Sequence, residues 1–424
     1  MLRGLQALLI LHSMLSDFKK LLFTQTGKDT TIVFIGTLIN VISGGLFFIL
    51  VPRLLGPSDF GIFSTVVATG LLATAIANFG IDTGILKFAK DDSHANAVFS
   101  LALRSYIILG AAIAIIGYFL SQPLAHLLGQ SQIAVFLQTA FLSTIFLLLT
   151  NFYVAALQAK REFARAALVN ISSNVARVVL LVVSAYFFLT GLYFVTLLFF
   201  MVTIISAIIG SLLLKFEYQR EADLTIGTFY KYNVWIALSL ILSSIPFDNY
   251  LLLKISGPIQ TGLYAAPFKI LTFAYQFGGN FTRVLASRYS SFDSNEKAKA
   301  FSVKTFGPVG ILILALLLLI LISGPVVNLL FGQNFSQAVL IMQILAVGFM
   351  FFFASTIPSS IILYYFGKSE ISFVITLARY IAFVILLLVL VPKLSAIGAA
   401  CAFSLSEGFA FVLMALYVLV KLQK

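Results

Sequence analysis

Long apolar stretches recur along almost the whole chain and are separated only by short polar breaks. Hydrophobic residues make up 61% of the 424 residues and charged residues only 10%, whereas a soluble domain carries about 25% charged residues. Such a chain cannot cover its apolar surface with polar side chains in water. Because a bilayer also requires every backbone polar group to be bonded internally, the composition predicts membrane-spanning helices.

Stretches of about 20 apolar residues are long enough to cross a hydrocarbon core of about 30 Å as helices. The sequence therefore predicts an all-α polytopic membrane protein with about 12 transmembrane helices. The predicted spans are 30–51, 61–83, 98–119, 132–157, 166–189, 191–213, 231–254, 259–282, 304–323, 338–363, 371–391 and 395–420. The link at Thr190-Gly191 is short, so one long broken helix is an alternative there.

The basic residues are unevenly distributed over the two sides of this predicted topology. Of the 27 Lys and Arg residues, 21 lie in or next to segments on one side, three lie in loops on the other, and three lie inside spans. Cytoplasmic loops carry an excess of Lys and Arg. We therefore expect both termini in the cytoplasm. Since topology accounts for the net charge of +12, nucleic acid is not an expected partner.

A short motif occurs twice, at Arg53–Phe63 and at Lys254–Tyr264, 201 positions apart. In each copy a basic residue is followed three positions later by Gly-Pro, and then by a glycine, an aliphatic residue and an aromatic residue. Gly129-Gln130 and Gly332-Gln333 form a weaker echo. Independent Gly-Pro hairpins are the alternative explanation, but internal repeats are common in membrane transporters.

The repeat predicts two six-helix bundles, residues 30–213 and residues 231–424, joined by a cytoplasmic linker at 214–230. With six spans in each half, both halves enter the membrane in the same orientation, and we expect a cavity between them near the midplane. Residues 1–29 are expected to form a cytoplasmic segment. Either this segment includes an amphipathic helix on the membrane surface, or Met14 is the true start.

Basic residues inside the spans are candidate substrate-binding residues, because a charge at a helix centre costs about 2.5–3.5 kcal/mol on insertion scales. These residues are Arg177, Arg379 and Lys269, and the two arginines lie in equivalent spans. Facing a shared cavity, they would attract an anionic head group, and arginine can hold a phosphate with two hydrogen bonds. For each of them, snorkelling or a structural ion pair is the alternative.

Acidic residues inside the spans are candidates for ion coupling. Asp248 lies in the outer part of the seventh predicted span, and Glu407 lies midway along the twelfth. A carboxylate in a cavity of low dielectric constant can bind a proton or a cation and couple its movement to transport. Asp82, near the inner end of the second span, is a weaker candidate.

Arg53 and Lys254 occupy equivalent positions at the predicted outer mouth, where they would guide an anionic substrate or anchor helix ends at the head groups. The single cysteine, Cys401, and the three scattered histidines predict neither a disulfide nor a metal site. We expect no cofactor, because the chain has no phosphate-binding loop. Its predicted loops are too short to form a catalytic domain, so we do not expect enzymatic activity.

Two segments resemble those of a known family. Residues 52–64, PRLLGPSDFGIFS, look like the first outer hairpin of bacterial polysaccharide flippases, which belong to the multidrug/oligosaccharidyl-lipid/polysaccharide exporter superfamily. Residues 248–266 are similar to that family's seventh span and the hairpin after it. The second hairpin has Gln260-Thr261 in place of Asp59-Phe60, so symmetry assigns no role to Asp59.

The resemblance implies translocation of undecaprenyl-pyrophosphate-linked oligosaccharide repeat units from the inner to the outer leaflet of the bacterial inner membrane. It also implies alternating access driven by an ion gradient, for the synthesis of O-antigen, capsule or exopolysaccharide. The expected partners are this substrate, membrane lipids and the polymerase and assembly proteins of the polysaccharide. We expect the protein to function as a monomer.

Two other functions stay open. A multidrug or cation-coupled exporter of the same superfamily would need carboxylates to attract cationic drugs, whereas the buried basic residues here at least equal the acidic ones. A membrane polymerase or ligase acting on lipid-linked sugars would need a large outer loop with polar catalytic residues, and the predicted outer loops are short.

Overall fold

A computed structural model describes residues 25–89, 92–219, 226–289, 292 and 294–423. The described residues form helices and connecting turns, with no strand among them. The predicted segment 1–29 lies almost entirely outside the described residues. The α-helices are α1 (Gln25–Asn78), α2 (Ile81–Phe88), α3 (Asp92–Leu127), α4 (Ala134–Ala159), α5 (Phe163–Tyr186), α6 (Leu192–Met201), α7 (Thr203–Leu213), α8 (Ile226–Ser244), α9 (Phe247–Tyr289), α10 (Asn295–Leu321), α11 (Ser323–Phe331), α12 (Ala338–Ser360) and α13 (Ser369–Gln423).

Helix α1 is a hairpin of two helices that reverses direction at Gly56. The backbone there has φ 73° and ψ 174°, a conformation that glycine adopts at little cost. Pro57 then opens the second helix, where a missing N–H group is tolerated. The rings of Phe47 and Phe63 have centroids 6.3 Å apart across this turn, although 16 residues of straight helix would separate them by about 24 Å.

Helix α9 contains the same turn at the second copy of the motif. Gly257 has φ 82° and ψ 176°, and Pro258 follows it. Across this turn the Tyr264 hydroxyl donates a 2.8 Å hydrogen bond to Asp248 Oδ2. Asp248 is the repeat equivalent of Phe47, and Tyr264 is the repeat equivalent of Phe63, since each lies 201 positions after its counterpart. The sequence repeat is therefore also a repeat of backbone geometry.

Other turns follow the sequence pattern as well. Gly129 and Gly332 have positive φ angles of 71° and 87°, and each precedes a short 3₁₀ helix, at Ser131–Ile133 and Gln333–Phe335. The chain reverses between α5 and α6, as the 3.0 Å hydrogen bond from Arg177 Nε to the Phe199 carbonyl shows. The alternative of one long broken helix at residues 190–191 is therefore wrong.

Eight helical stretches of the described residues are long and apolar enough to cross a membrane. Two of these, Ile35–Asn78 and Ser369–Leu422, contain reversals, at Gly56 and Ser395 respectively. Many of the large side chains on the helices face outwards, as expected where lipid covers the surface. The prediction of an all-α polytopic membrane protein is confirmed for the described residues, while the count of twelve spans stays a prediction.

The two Gly-Pro hairpins pack directly against each other. A β-carbon on Gly61 would overlap the Pro258 carbonyl oxygen, and a β-carbon on Gly262 would overlap the Pro57 carbonyl oxygen. Glycine permits this approach of one backbone to another because it has no side chain. We call this end of the molecule the hairpin end. Thr69 Oγ1 and the Tyr250 hydroxyl, 3.0 Å apart, add a hydrogen bond between α1 and α9.

Candidate functional site

A cavity of about 600 Å³ lies beside the break between α8 and α9, where Ile245 and Pro246 are not helical. Its walls come mainly from the C-terminal half, with Ala68 and Leu71 of α1 contributed by the N-terminal half. Four predicted site residues line it, namely Asp248, Lys269, Arg379 and Glu407. Along their helices they lie about 13–24 Å from the hairpin turns, at 1.5 Å per residue, which suits a site near the middle of a bilayer.

Asp248 is buried in the first turn of α9 and is held by two hydrogen bonds. Its Oδ1 accepts the Asn249 backbone N–H at 2.8 Å, and its Oδ2 accepts the Tyr264 hydroxyl at 2.8 Å. Hydrogen bonds to an ionised acceptor are stronger than those between neutral groups. The position at a helix N-terminus also favours negative charge, because the backbone N–H groups there have no intrahelical acceptor.

Lys269 lies on the second arm of α9 and points across the boundary between the halves. Its Nζ is 5.6 Å from the ring centroid of Phe48 in α1, within range of a cation–π interaction. It is also close enough to Asp248 for their charges to attract. Among the described residues, its ammonium has no hydrogen-bond partner, so donors remain for a ligand.

Arg379 and Glu407 form an ion pair on the two arms of α13. The chain reverses at Ser395, with φ 51° and ψ −127°, and this reversal brings Arg379 Nη1 to 2.8 Å from Glu407 Oε1. The glutamate side chain is 5% exposed and the arginine side chain 24% exposed. No other hydrogen bond from this guanidinium occurs within the described part of the chain, although the group carries five N–H donors.

Arg177 does not share this cavity, contrary to the expectation that the two arginines face one site. Its Nε donates to the Phe199 carbonyl at 3.0 Å, its Nη1 donates to Asn174 Oδ1 at 2.7 Å, and its guanidinium lies 4.1 Å from the Phe199 ring centroid. Asn174 in turn donates to Asn40 Oδ1 at 2.6 Å. Arg177 is thus enclosed by protein partners in the N-terminal half.

The repeat positions show that the charged site belongs to the C-terminal half. Counting back 201 positions, Asp248 corresponds to Phe47, Asn249 to Phe48 and Lys269 to Ala68. All three are apolar in the N-terminal half. The aromatic packing of Phe47 against Phe63 therefore occupies the position at which the other half holds a buried carboxylate.

The remaining predicted residues lie away from the cavity. Arg53 donates through Nη2 to the Leu329 carbonyl in the last turn of α11, so it joins the two halves at the hairpin end. Lys254, its repeat equivalent, is exposed. Asp82 accepts the Thr83 backbone N–H at 2.8 Å in the first turn of α2, where the helix N-terminus favours a negative charge.

Neutral polar groups of the cavity were not predicted from the sequence. The Asn249 Oδ1 and Tyr380 hydroxyl oxygens are buried and have no hydrogen-bond partner among the described residues. Ser355, Thr356 and Thr376 also line the cavity. Their sequence positions could have indicated them, since Asn249 directly follows Asp248 and Tyr380 directly follows Arg379. Within the described ranges, no group of three His, Cys, Asp or Glu side chains is arranged to hold a metal ion.

These features define a polytopic helical membrane protein with paired charges inside the bundle. The sequence matches the family model described as "Polysaccharide biosynthesis protein" over residues 26–277, more than half of the chain. The chain therefore belongs to the polysaccharide biosynthesis protein family. A Shigella flexneri protein named "Putative O-antigen transporter" is 24% identical over 398 residues, which cover 88% of this chain and 91% of the relative.

Two solved structures are similar in fold. A multidrug resistance MATE family transporter of the MOP superfamily, in an inward-facing conformation, superimposes with a TM-score of 0.73 at 16% identity, covering 93% of this chain and 97% of the other. The lipid II flippase MurJ, in an inward closed conformation, gives a TM-score of 0.71 at 14% identity, covering 92% and 87%. At these identities the likeness is one of fold.

Proposed function

We propose that this protein is a flippase that moves undecaprenyl-pyrophosphate-linked oligosaccharide repeat units from the inner to the outer leaflet of the bacterial inner membrane. The observation that carries the proposal is the cavity, in which Lys269 and Arg379 both have N–H donors without a partner among the described residues. A pyrophosphate head group offers several charged oxygens to such donors. The hydroxyl and amide groups beside them suit the hydroxyls of a sugar.

The family and the relative support the same cargo. The family is described by polysaccharide biosynthesis, and the Shigella flexneri relative is named for O-antigen transport. A lipid-linked repeat unit satisfies both descriptions. We further propose the inner membrane as the location, both termini in the cytoplasm, and function as a monomer without a cofactor.

The packing of the hairpin end supports a mechanism of alternating access. Gly61 against Pro258, Gly262 against Pro57, and Arg53 against the Leu329 carbonyl close this end across the two halves. By the distribution of basic residues, the hairpin end faces outwards. Rocking of residues 30–213 against residues 231–424 about the linker would open this end and deliver the head group to the outer leaflet.

Asp248 and Glu407 are the proposed coupling residues. Both are buried carboxylates on the cavity wall, and each touches a group that can respond to its charge, Tyr264 for the first and Arg379 for the second. Binding of a proton or a cation to one of them would change the charge presented to the substrate. An ion gradient can then drive the cycle.

Export of cationic drugs is a second candidate, favoured by one observation. The cavity contains two carboxylates as well as two basic groups, and a multidrug transporter shares the fold. The two functions differ in charge requirement. A drug exporter needs the carboxylates and is indifferent to Lys269 and Arg379, whereas the flippase needs the basic groups.

The test uses a strain that lacks the gene and carries either the wild type, Lys269→Ala or Arg379→Ala, with Lys393→Ala as a control because that lysine is exposed. Lipid-linked oligosaccharide is fractionated by leaflet, and surface polymer is measured alongside. We expect inner-leaflet accumulation in the deletion and both cavity variants only. Outer-leaflet accumulation of single repeat units would indicate a polymerase or ligase, and unchanged lipid pools with sensitivity to cationic compounds would indicate drug export.

A further inference from the structure

The two arginines that lie in equivalent spans, Arg177 and Arg379, differ in how completely their guanidinium groups are bonded. Arg177 is held by a backbone carbonyl, an amide oxygen and an aromatic ring. Arg379, on the cavity wall, donates a single hydrogen bond within the described part of the chain, to Glu407. A guanidinium binds a carboxylate or a phosphate best through two parallel N–H groups. The geometry of Arg379 therefore leaves donors for a second oxyanion.

We propose that Glu407 is an internal ligand that competes with the phosphate of the substrate for Arg379. This inference rests on the proposed function, since it concerns a phosphorylated head group in the same cavity. With the cavity empty, Glu407 neutralises Arg379. When the head group arrives, phosphate oxygens bind the guanidinium in place of the carboxylate, and Glu407 loses its ion pair with Arg379.

Release of Arg379 makes Glu407 the group that must take up a proton. Its side chain is 5% exposed, and an ionised carboxylate without a partner is strongly disfavoured at such a position. The exchange balances as one phosphate bound, one carboxylate displaced and one proton taken up to give a neutral carboxylic acid. A proton is thereby bound at the step that loads the anion.

The other charged and titratable groups of the cavity wall do not substitute for Glu407 in this exchange. Asp248 keeps its own donors, Tyr264 and the Asn249 N–H, whether or not Arg379 is occupied. Lys269 Nζ lies 5.6 Å from the Phe48 ring centroid, and its charge interacts with that of Asp248. The Tyr380 hydroxyl carries no hydrogen bond within the described residues and is a neutral donor or acceptor. Glu370 carries an exposed carboxylate that does not line the cavity, so Glu370→Gln is a matched control for Glu407→Gln.

The experiment measures binding of inorganic pyrophosphate to the full-length protein in lipid nanodiscs by calorimetry. Titrations in two buffers of different ionisation enthalpy give both the dissociation constant and the number of protons taken up. The comparison covers wild type, Glu407→Gln, Glu407→Asp, Glu370→Gln and Arg379→Ala. Protonation of the probe itself cancels when the variants are compared with the wild type.

We expect Glu407→Gln to bind pyrophosphate about tenfold more tightly at pH 7.5, as when a competing ion pair is removed, and to take up about one proton less than the wild type. Glu370→Gln should keep the wild-type affinity and proton uptake, and Arg379→Ala should lose binding. Glu407→Asp, whose shorter side chain weakens the pair with Arg379, should fall between wild type and Glu407→Gln. The Glu407→Asp variant can be used to test the inference if Glu407→Gln does not fold.

Two outcomes would overturn the inference in distinguishable ways. If Arg379→Ala abolishes binding while both Glu407 variants match the wild type in affinity and proton uptake, then Glu407 has a structural role and the proposed function stands. If wild-type protein binds neither pyrophosphate nor undecaprenyl pyrophosphate but does bind organic cations, then the inference falls together with the proposed function.

Discussion

The Asp248 carboxylate accepts a 2.8 Å hydrogen bond from the Tyr264 hydroxyl across the turn at Gly257, and the equivalent pair of the other half, Phe47 and Phe63, makes a ring contact instead. One backbone turn thus carries two kinds of side-chain pair. The apolar pair only packs the hairpin, whereas the polar pair places a carboxyl group on the wall of the cavity. The two halves therefore differ in polarity at equivalent positions of the turn.

Removing the tyrosine hydroxyl should affect transport more than packing alone would predict. Tyr264→Phe leaves one donor fewer for the buried Asp248 carboxylate, and a hydrogen bond to a charged group contributes about 1.5–3 kcal/mol. We expect lower thermal stability and loss of most transport. Tyr250→Phe, which breaks the neutral contact with Thr69, should cost about 1 kcal/mol and leave transport largely intact. Equal effects of the two variants would contradict the role given to the Asp248–Tyr264 pair.

The reciprocal glycines of the hairpin end should control access from outside. Gly61→Ala and Gly262→Ala each place a β-carbon where a carbonyl oxygen lies, so we expect the hairpins to separate. A reporter cysteine at the buried Thr69, in a Cys401→Ser background, should then react faster with a membrane-impermeant maleimide. Gly307→Ala is the control because its β-carbon meets no atom within 4 Å. An unchanged labelling rate in both hairpin variants would show that this contact is not a gate.

Replacing either of the two arginines in equivalent spans should impair transport, but for different reasons. Arg177→Ala leaves the Phe199 carbonyl and the Asn174 amide without their donor, which costs about 1–3 kcal/mol for each group left unpaired. We expect reduced protein level and stability, with impaired transport as a result. Arg379→Ala should preserve the protein level and abolish transport. Quantitative immunoblotting beside transport separates these effects, and the roles are reversed if Arg379→Ala is the unstable variant.

The equivalent basic residues Arg53 and Lys254 offer a matched comparison at the hairpin end. Arg53→Gln removes the donor to the Leu329 carbonyl and hence a link between the halves, so we expect faster labelling of the cysteine at position 69. Lys254→Gln should leave labelling unchanged, because the lysine is exposed. If instead both variants lower the rate of transport without changing labelling, the residues guide the substrate, as the sequence suggested.

Apolar length and turn residues were sufficient to predict the helical architecture. Gly56 and Gly257 both have a positive φ angle, because the same Gly-Pro sequence forms the same backbone turn in both copies of the motif. The charged cavity was predicted only in part. Asp248, Lys269, Arg379 and Glu407 were found as charges inside apolar spans, but nothing local to Arg177 revealed that its partners would be protein groups.

By itself, the sequence determined that the chain is a polytopic helical membrane protein built on a repeated hairpin, because insertion into lipid depends on the length and composition of each stretch. Only the tertiary structure decided that the charges gather in the C-terminal half, that Arg379 meets Glu407, and that the two motif copies pack against each other. The physical reason is helix rotation. The side of a helix on which a residue lies relative to its neighbours is fixed by packing between distant segments, and those contacts leave no mark in the local sequence.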